Sequence, residues 1–387
     1  MTMKTPPPST APTPPSALAL RTSPIAGVTL ALFLGAGLLS CGWLVASGKL
    51  ELMPDKHLSN GQVLHGEITH RIAKELAKAP LPSEAADLER ASSWLLLGDT
   101  GPRVRPGCTQ WLFLSDELKL DRHAADNAQA KADAVIALQR SLQQRGIRLL
   151  VSVVPDKSRI AASELCGLTR PTASQARIQQ WVQKLQAAGV ATLDLTASLQ
   201  PLGASAFLRT DTHWSEAGAQ AAAQAIAEQV KGMGLSATPS KTFDTRQEPL
   251  APRPGDLVRL AGIDWLPVAL QPPQEQVAPT VITERAEAVS DAGDNLDDLF
   301  GDDNLPNVAL IGTSFSRNSS FVGFLQRALS APVGNFAKDG GEFSGAAKAY
   351  FDSPAFRQTP PQLVIWEIPE RDLQTPYAGD VQLPPRP

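Results

Sequence analysis

Residues 147–154 read IRLLVSVV, an apolar run with little polar interruption. A strand with one face in water alternates polar and apolar side chains. A strand apolar on both faces must be covered on both, as in the middle of a parallel sheet. The flanking segments agree. Residues 124–145 have helical periodicity and close at Gly146, and residues 174–188 form a second helix that leads into a short strand, Ala191–Leu195. Further apolar strands are expected at Gln110–Leu114, Asn307–Ile311 and Gln362–Ile368. Helices are expected at Ser215–Lys231, with Ser215 as N-cap and Gly232 as stop, and at Phe321–Leu329. This alternation predicts an α/β fold of three layers, α/β/α, around a mainly parallel sheet.

The N-terminal part belongs to no such layer. Residues 1–24 are rich in Pro, Ser and Thr and carry Lys4 and Arg21 but no acid, so a disordered tail is expected. Residues 25–47 are then free of charge; at ~1.5 Å per residue they span a hydrocarbon core of roughly 30 Å. The basic flank sets residues 1–24 in the cytoplasm and the remainder across the membrane. A cleaved signal peptide and a lipoprotein are the rival readings. The apolar stretch is long and late for a signal peptide, and the leucine beside Ser40 suits lipidation of Cys41 poorly. Residues 48–104 read as a stalk and covering helices, 61–79 and 83–93, broken at Pro80 and Pro82. The α/β domain follows at 105–375 with an insertion at 236–306, and a Pro-rich tail at 376–387.

A net charge of −4 leaves no basic face for nucleic acid. No His/Cys cluster has metal-ligand spacing, so neither a metal nor a cofactor is expected. Asp297, Asp298, Asp302 and Asp303 lack EF-hand spacing and read as part of a solvated acidic loop running from Glu287 to Asp303. Cys108 and Cys166 lie beyond the apolar span. Export permits a disulfide between them, and two separate buried thiols is the alternative.

The chemistry concentrates in two places. Asp211 and His213, two apart, share one side of an extended backbone just ahead of a helix. Ser314 sits where an apolar strand turns towards a helix, so its hydroxyl is presented at the top of a sheet. A serine needs a base, and a carboxylate fixes that base's tautomer. His57, His65, His70 and His123 have no such setting. Ser316, Ser319 and Ser320 are expected to lie on the following helix. Trp214, beside His213, either stacks on a glycan or packs under the helix.

Five blocks resemble those of SGNH hydrolases in rotated order: LLVSVVPDKSRI (149–160), DTHWSEAGA (211–219), ALIGTSFS (309–316), DGG (339–341) and LVIWEIPER (363–371). With Gln110–Leu114 resembling a "GWLFL" segment, this circularly permuted set resembles the alginate O-acetyltransferase (AlgJ/AlgX) family. The chain ends soon after its last strand, which makes it look more like the AlgJ branch.

The resemblance implies a catalytic triad of Ser314, His213 and Asp211. It implies an acyl-enzyme that passes acetyl groups to an exported polysaccharide, and a multi-pass membrane acyltransferase as supplier. It places the catalytic domain in the periplasm, anchored in the bacterial inner membrane. A polysaccharide acetyl esterase and a non-catalytic glycan-binding scaffold of an export complex are the alternatives. WEIPER offers no oxyanion asparagine, so the donors are sought in the Ser314 N–H with Gly340 or Gly341, or in Arg371. Asn318 is expected on the helix, away from that role. A reporter active only in the periplasm, fused at residue 60, is expected to give signal; a silent fusion contradicts the topology.

Overall fold

The computed structural model describes residues 23–48, 66–77, 79–285, 305–379 and 381–384. Of the expected tail at 1–24, residues 1–22 lie outside these, as does the acidic run with its four aspartates. Two compact units divide between Glu89 and Arg90. The first holds the helix Pro24–Ala46, 23 residues with mean hydropathy 2.0 and no buried residue, long and apolar enough to cross a membrane. It also holds the helix Glu67–Leu76. The next helix, Pro80–Leu97, corrects the expected break. Pro80 and Pro82 sit in its first turn, where a missing N–H costs nothing, and the helix runs on past residue 93.

In the second unit β1 (Val104–Pro106) pairs antiparallel with β2 (Leu112–Leu114). The central sheet follows, built from β3 (Arg148–Val154), β4 (Ala191–Asp194), β9 (Val308–Ile311), β10 (Gly334–Asn335) and β11 (Leu363–Pro369). The order is β10-β9-β11-β3-β4, and every pairing is parallel. The four strands between β4 and β9 form two nested antiparallel ribbons in the insertion: β5 (Phe243–Gln247) with β8 (Thr280–Glu284), and β6 (Ala251–Arg253) with β7 (Glu275–Val277).

Strand periodicity sorts the core into two layers. Leu149, Val151 and Val153 of β3, with Val364, Trp366 and Ile368 of β11, meet the helices Ala124–Gln143, Arg177–Ala187 and Gly345–Phe351. Leu150, Val154, Leu363 and Ile365 face the other way, against the helices Glu216–Gly232 and Phe321–Leu329. Glu216–Gly232 buries Ala219, Ala222, Ala223 and Ala227, small side chains that let it lie close to the sheet. Ser215 Oγ caps it by accepting from the Gly218 N–H at 3.2 Å. The helix includes Gly232, and the left-handed residue that reverses the chain is Gly234, at φ +67°.

Cys108 and Cys166 are bonded, with Cα atoms 4.9 Å apart, and both lie in turns. The Cys108 N–H also donates to the Glu164 carbonyl at 2.7 Å. The bond closes a loop of 58 residues, worth about 4 kcal/mol by chain entropy. Replacing both cysteines by alanine is expected to lower the urea midpoint by that equivalent. A loss under ~1 kcal/mol means that the turns already hold the loop.

Candidate active site

Ser314 is set by the strand beside its own. β9 ends at Ile311, and a Cβ on the next residue, Gly312, would come within 2.5 Å of Glu367 Oε2 and 2.8 Å of Glu367 Cβ. Only glycine fits there. The turn then closes on the Glu367 carboxylate of β11, which accepts from the Thr313 N–H at 2.7 Å and the Ser316 hydroxyl at 3.0 Å. Burial pushes the Glu367 carboxyl upward against these donors. Ser314 begins a short 3-10 turn, Ser314–Arg317, and the helix starts later, at Phe321.

Asp211 and His213 sit on a loop pinned at both sides. Phe207 and Trp214 form an isolated antiparallel bridge, and the Leu208 N–H donates to the His213 carbonyl at 3.1 Å. From below, the buried Lys157 ammonium donates to the carbonyls of Leu112 (2.7 Å), Arg209 (2.7 Å) and Asp211 (3.0 Å). Burial brings its pKa down to about 8, although the carboxylates around it favour the charge. From the insertion, Glu275 accepts from the Thr210 N–H at 2.7 Å. Gly255 lies so close that a Cβ would be 2.0 Å from the Thr210 carbonyl oxygen.

These supports bring the three side chains into line. His213 Nε2 lies 2.7 Å from Ser314 Oγ, and His213 Nδ1 lies 2.6 Å from Asp211 Oδ1. Burial opposes a charge on Asp211. The hydrogen bond and charge of His213, aided by Arg253, outweigh it and hold the carboxyl well below the usual range. The remaining Asp211 oxygen accepts from the Asp256 N–H at 3.3 Å and from Arg253 at 3.4 Å. With the carboxylate on Nδ1, the tautomer that frees Nε2 to accept from the serine is favoured. The edge of the Phe315 ring packs on the imidazole, centroids 5.2 Å apart.

The line of side chains opens into a cleft of about 600 Å³ whose walls include Arg103, Arg253, Arg259, Asn318, Gly340 and Arg371. Gly341 does not line it. Trp214 is fully buried, stacked on Phe321 at 4.7 Å, so of its two readings packing holds and a glycan-facing ring does not. Asn318 corrects another expectation. It lies between the 3-10 turn and the helix, in extended backbone, and its Nδ2 donates to the Ser314 carbonyl at 2.8 Å.

Ser316, Ser319 and Ser320 also precede the helix. Their hydroxyls donate to Glu367, the Trp214 carbonyl and Glu216. His123 is exposed beside Asp126, His70 is in the first unit, and His57 and His65 fall outside the described residues. Asp211, His213 and Asp256 are the one group among the described residues close enough to converge on a cation. Hydrogen bonds within the site already occupy their facing atoms. Sequence reading missed Lys157, Arg253, Asp256 and Glu367 as supports. The PDKSR block offered a signal for the lysine only.

The profile described as "SGNH hydrolase-like domain, acetyltransferase AlgX" matches residues 104–370. The chain belongs to this family. A probable alginate O-acetylase AlgJ of Pseudomonas aeruginosa is 34% identical over 372 residues, covering 92% of this chain and 91% of that protein. The Pseudomonas putida AlgJ is 35% identical over 349 residues, covering 89% and 87%. Among solved structures, the O-acetyltransferase domain of Pseudomonas putida AlgJ superposes with TM-score 0.62 at 31% identity, covering 73% of this chain and 96% of that one. Pseudomonas aeruginosa AlgX shares the fold, with TM-score 0.52 at 23% identity, covering 69% and 62%. This chain thus carries the family's SGNH hydrolase-like acetyltransferase domain, on a sheet ordered β10-β9-β11-β3-β4.

Lys157 carries the clearest test of how the scaffold holds the site. Lys157→Met leaves three carbonyls without a donor and is expected to cost at least about 3 kcal/mol and most of the activity. The sign of the pH dependence follows from the lowered pKa. Between about 8 and the ordinary 10.5 the unfolded lysine binds more protons than the folded one, so stability from this group rises with pH across that window. The gap between wild type and variant in urea melts should widen from pH 8 to 10; a gap that narrows contradicts the lowered pKa of Lys157.

Proposed function

We propose that this protein O-acetylates an exported polysaccharide, alginate being the polymer named for its relatives. The observation that carries the reading is the continuous line Asp211–His213–Ser314, with contacts of 2.6 and 2.7 Å. Ser314 Oγ attacks an acetyl ester or thioester while its proton passes to His213 Nε2. The tetrahedral intermediate collapses, the leaving group takes that proton, and an acetyl-serine remains. A sugar hydroxyl then attacks the acetyl carbon as His213 removes its proton. Collapse returns the proton to Ser314 and releases the acetylated polymer.

The N–H groups of Ser314 and Gly340 donate to no other group among the described residues, and both line the cleft. They are the natural oxyanion donors, with the Arg371 guanidinium on the same wall. An open cleft of this size suits a polymer passing across the serine. Water in place of sugar would give an esterase by the same steps.

The apolar helix Pro24–Ala46 fits a single-pass anchor with the domain in the periplasm. Acetyl-CoA does not reach that compartment, so a multi-pass membrane acyltransferase is the fitting source of acetyl groups. Ser314→Ala, His213→Ala and Asp211→Ala are each expected to lower acetyl transfer to the polymer by at least ~1000-fold. The double variants should lose little more, because the three act as a unit. Unchanged polymer acetylation in cells that carry Ser314→Ala, with no transfer by the purified wild-type protein, would favour a binding scaffold.

A further inference from the structure

A second carboxylate faces His213. Asp256 Oδ2 lies 3.7 Å from His213 Nδ1, and the side chain keeps 20% of its surface exposed, towards the cleft. It does not displace Asp211 from Nδ1. Its two oxygens are taken by the residue between Asp211 and His213: Oδ1 accepts the Thr212 N–H at 2.7 Å, and Oδ2 accepts the Thr212 hydroxyl at 2.6 Å. Its own N–H donates to Asp211 Oδ2 at 3.3 Å. One residue therefore grips all of the Asp-Thr-His turn, from an insertion rather than from the sheet.

The charges around the imidazole give this grip a consequence. Asp211 is flanked by Arg253, 3.4 Å from its Oδ2, and by Lys157, 3.0 Å from its carbonyl. Arg371 lies over the Phe315 ring at 5.3 Å, and that ring packs on His213. Glu117 offsets Arg371 from behind, at 3.9 Å, and Asp372 sits on the same segment. Close to the imidazole, then, Asp211 alone would meet Arg253 and the two cations further off. Asp256 adds a second negative charge beside the imidazole, 3.7 Å from His213 Nδ1.

We propose that Asp256 is a positioning residue for the His213–Asp211 pair, clamping Thr212 and lending a second negative charge to the imidazolium that forms when Ser314 is deprotonated. The proposal rests on the acyl-enzyme reading of Ser314. Its loss would move the protonation equilibrium of His213 and leave substrate contact intact.

The test follows p-nitrophenyl acetate turnover by the full-length chain against pH, with wild type, Ser314→Ala, Asp256→Asn and Thr212→Val. Asp256→Asn is expected to keep its melting temperature and KM. Its acid limb in kcat/KM should shift down by roughly one pH unit, with kcat about tenfold lower. Thr212→Val keeps both charges, so its limb should stay at the wild-type pH while kcat falls. An Asp256→Asn profile that superimposes on wild type overturns the proposal. So does an activity loss with an unmoved limb, which is a structural role. If Asp256→Asn does not fold, Thr212→Val decides: a limb shifted by a unit makes the hydrogen bond, and not the charge, the cause. Turnover surviving in Ser314→Ala would instead sink the acyl-enzyme reading itself.

Discussion

A lysine ammonium buried without water must spend its protons on acceptors inside the protein. Lys157 spends them on the carbonyls of Leu112, Arg209 and Asp211, with the Trp111 and Phe113 rings 5.0 and 5.1 Å away. Three stretches far apart in sequence are tied at that point: the β2 segment, the loop after β3 and the turn that carries His213. An isolated charge in such a place would be costly. Three carbonyl partners make it a post, and the loop above it needs no secondary structure of its own to stay in register.

The sheet supplies the complementary fixed point. β11 lies between β3 and β9, so the residues that follow the three strands emerge side by side at one edge. Within β11, Glu367 grips the serine turn. Just past it, Glu370 meets Arg159, Arg170 and Arg177 at 2.6, 3.1 and 3.4 Å, and Asp156 meets Arg170 and Arg177 at 3.0 and 2.7 Å. That cluster joins the end of β11 to the loop after β3 and so to Lys157. A buried pair of this kind is weak evidence for added stability. Its value here is geometric: it fixes the two ends between which the cleft opens.

Legibility followed physical range. IRLLVSVV and QLVIWEI could be read because double-sided burial demands apolar runs, and Asp211 with His213 because the period of an extended chain is local. Ser314 could be read from the glycine before it and the strand before that. The prolines at 80 and 82 were misread as a break because the same residue that ends a helix is welcome in its first turn. Trp214 was ambiguous because an aromatic beside a catalytic histidine serves packing or binding equally, and only burial separates the two. Asp256 was invisible. It lies 45 residues beyond Asp211 in a proline-rich stretch, and nothing local says that the insertion folds back onto the turn. Asn318 was set on a helix although the helix begins at Phe321, as expected; the short 3-10 turn and the extended link before it leave no periodic pattern.

The account stands on one covalent event at Ser314. Acid-quenching the full-length protein during turnover of an acetyl ester, followed by mass spectrometry of its peptides, reads that event directly. The account predicts a single acetyl group on the peptide that contains Ser314, located on the Ser314 oxygen, appearing before product accumulates and decaying when substrate runs out. Product released at full rate with that peptide unmodified throughout, or the acetyl group found on another residue, would contradict it.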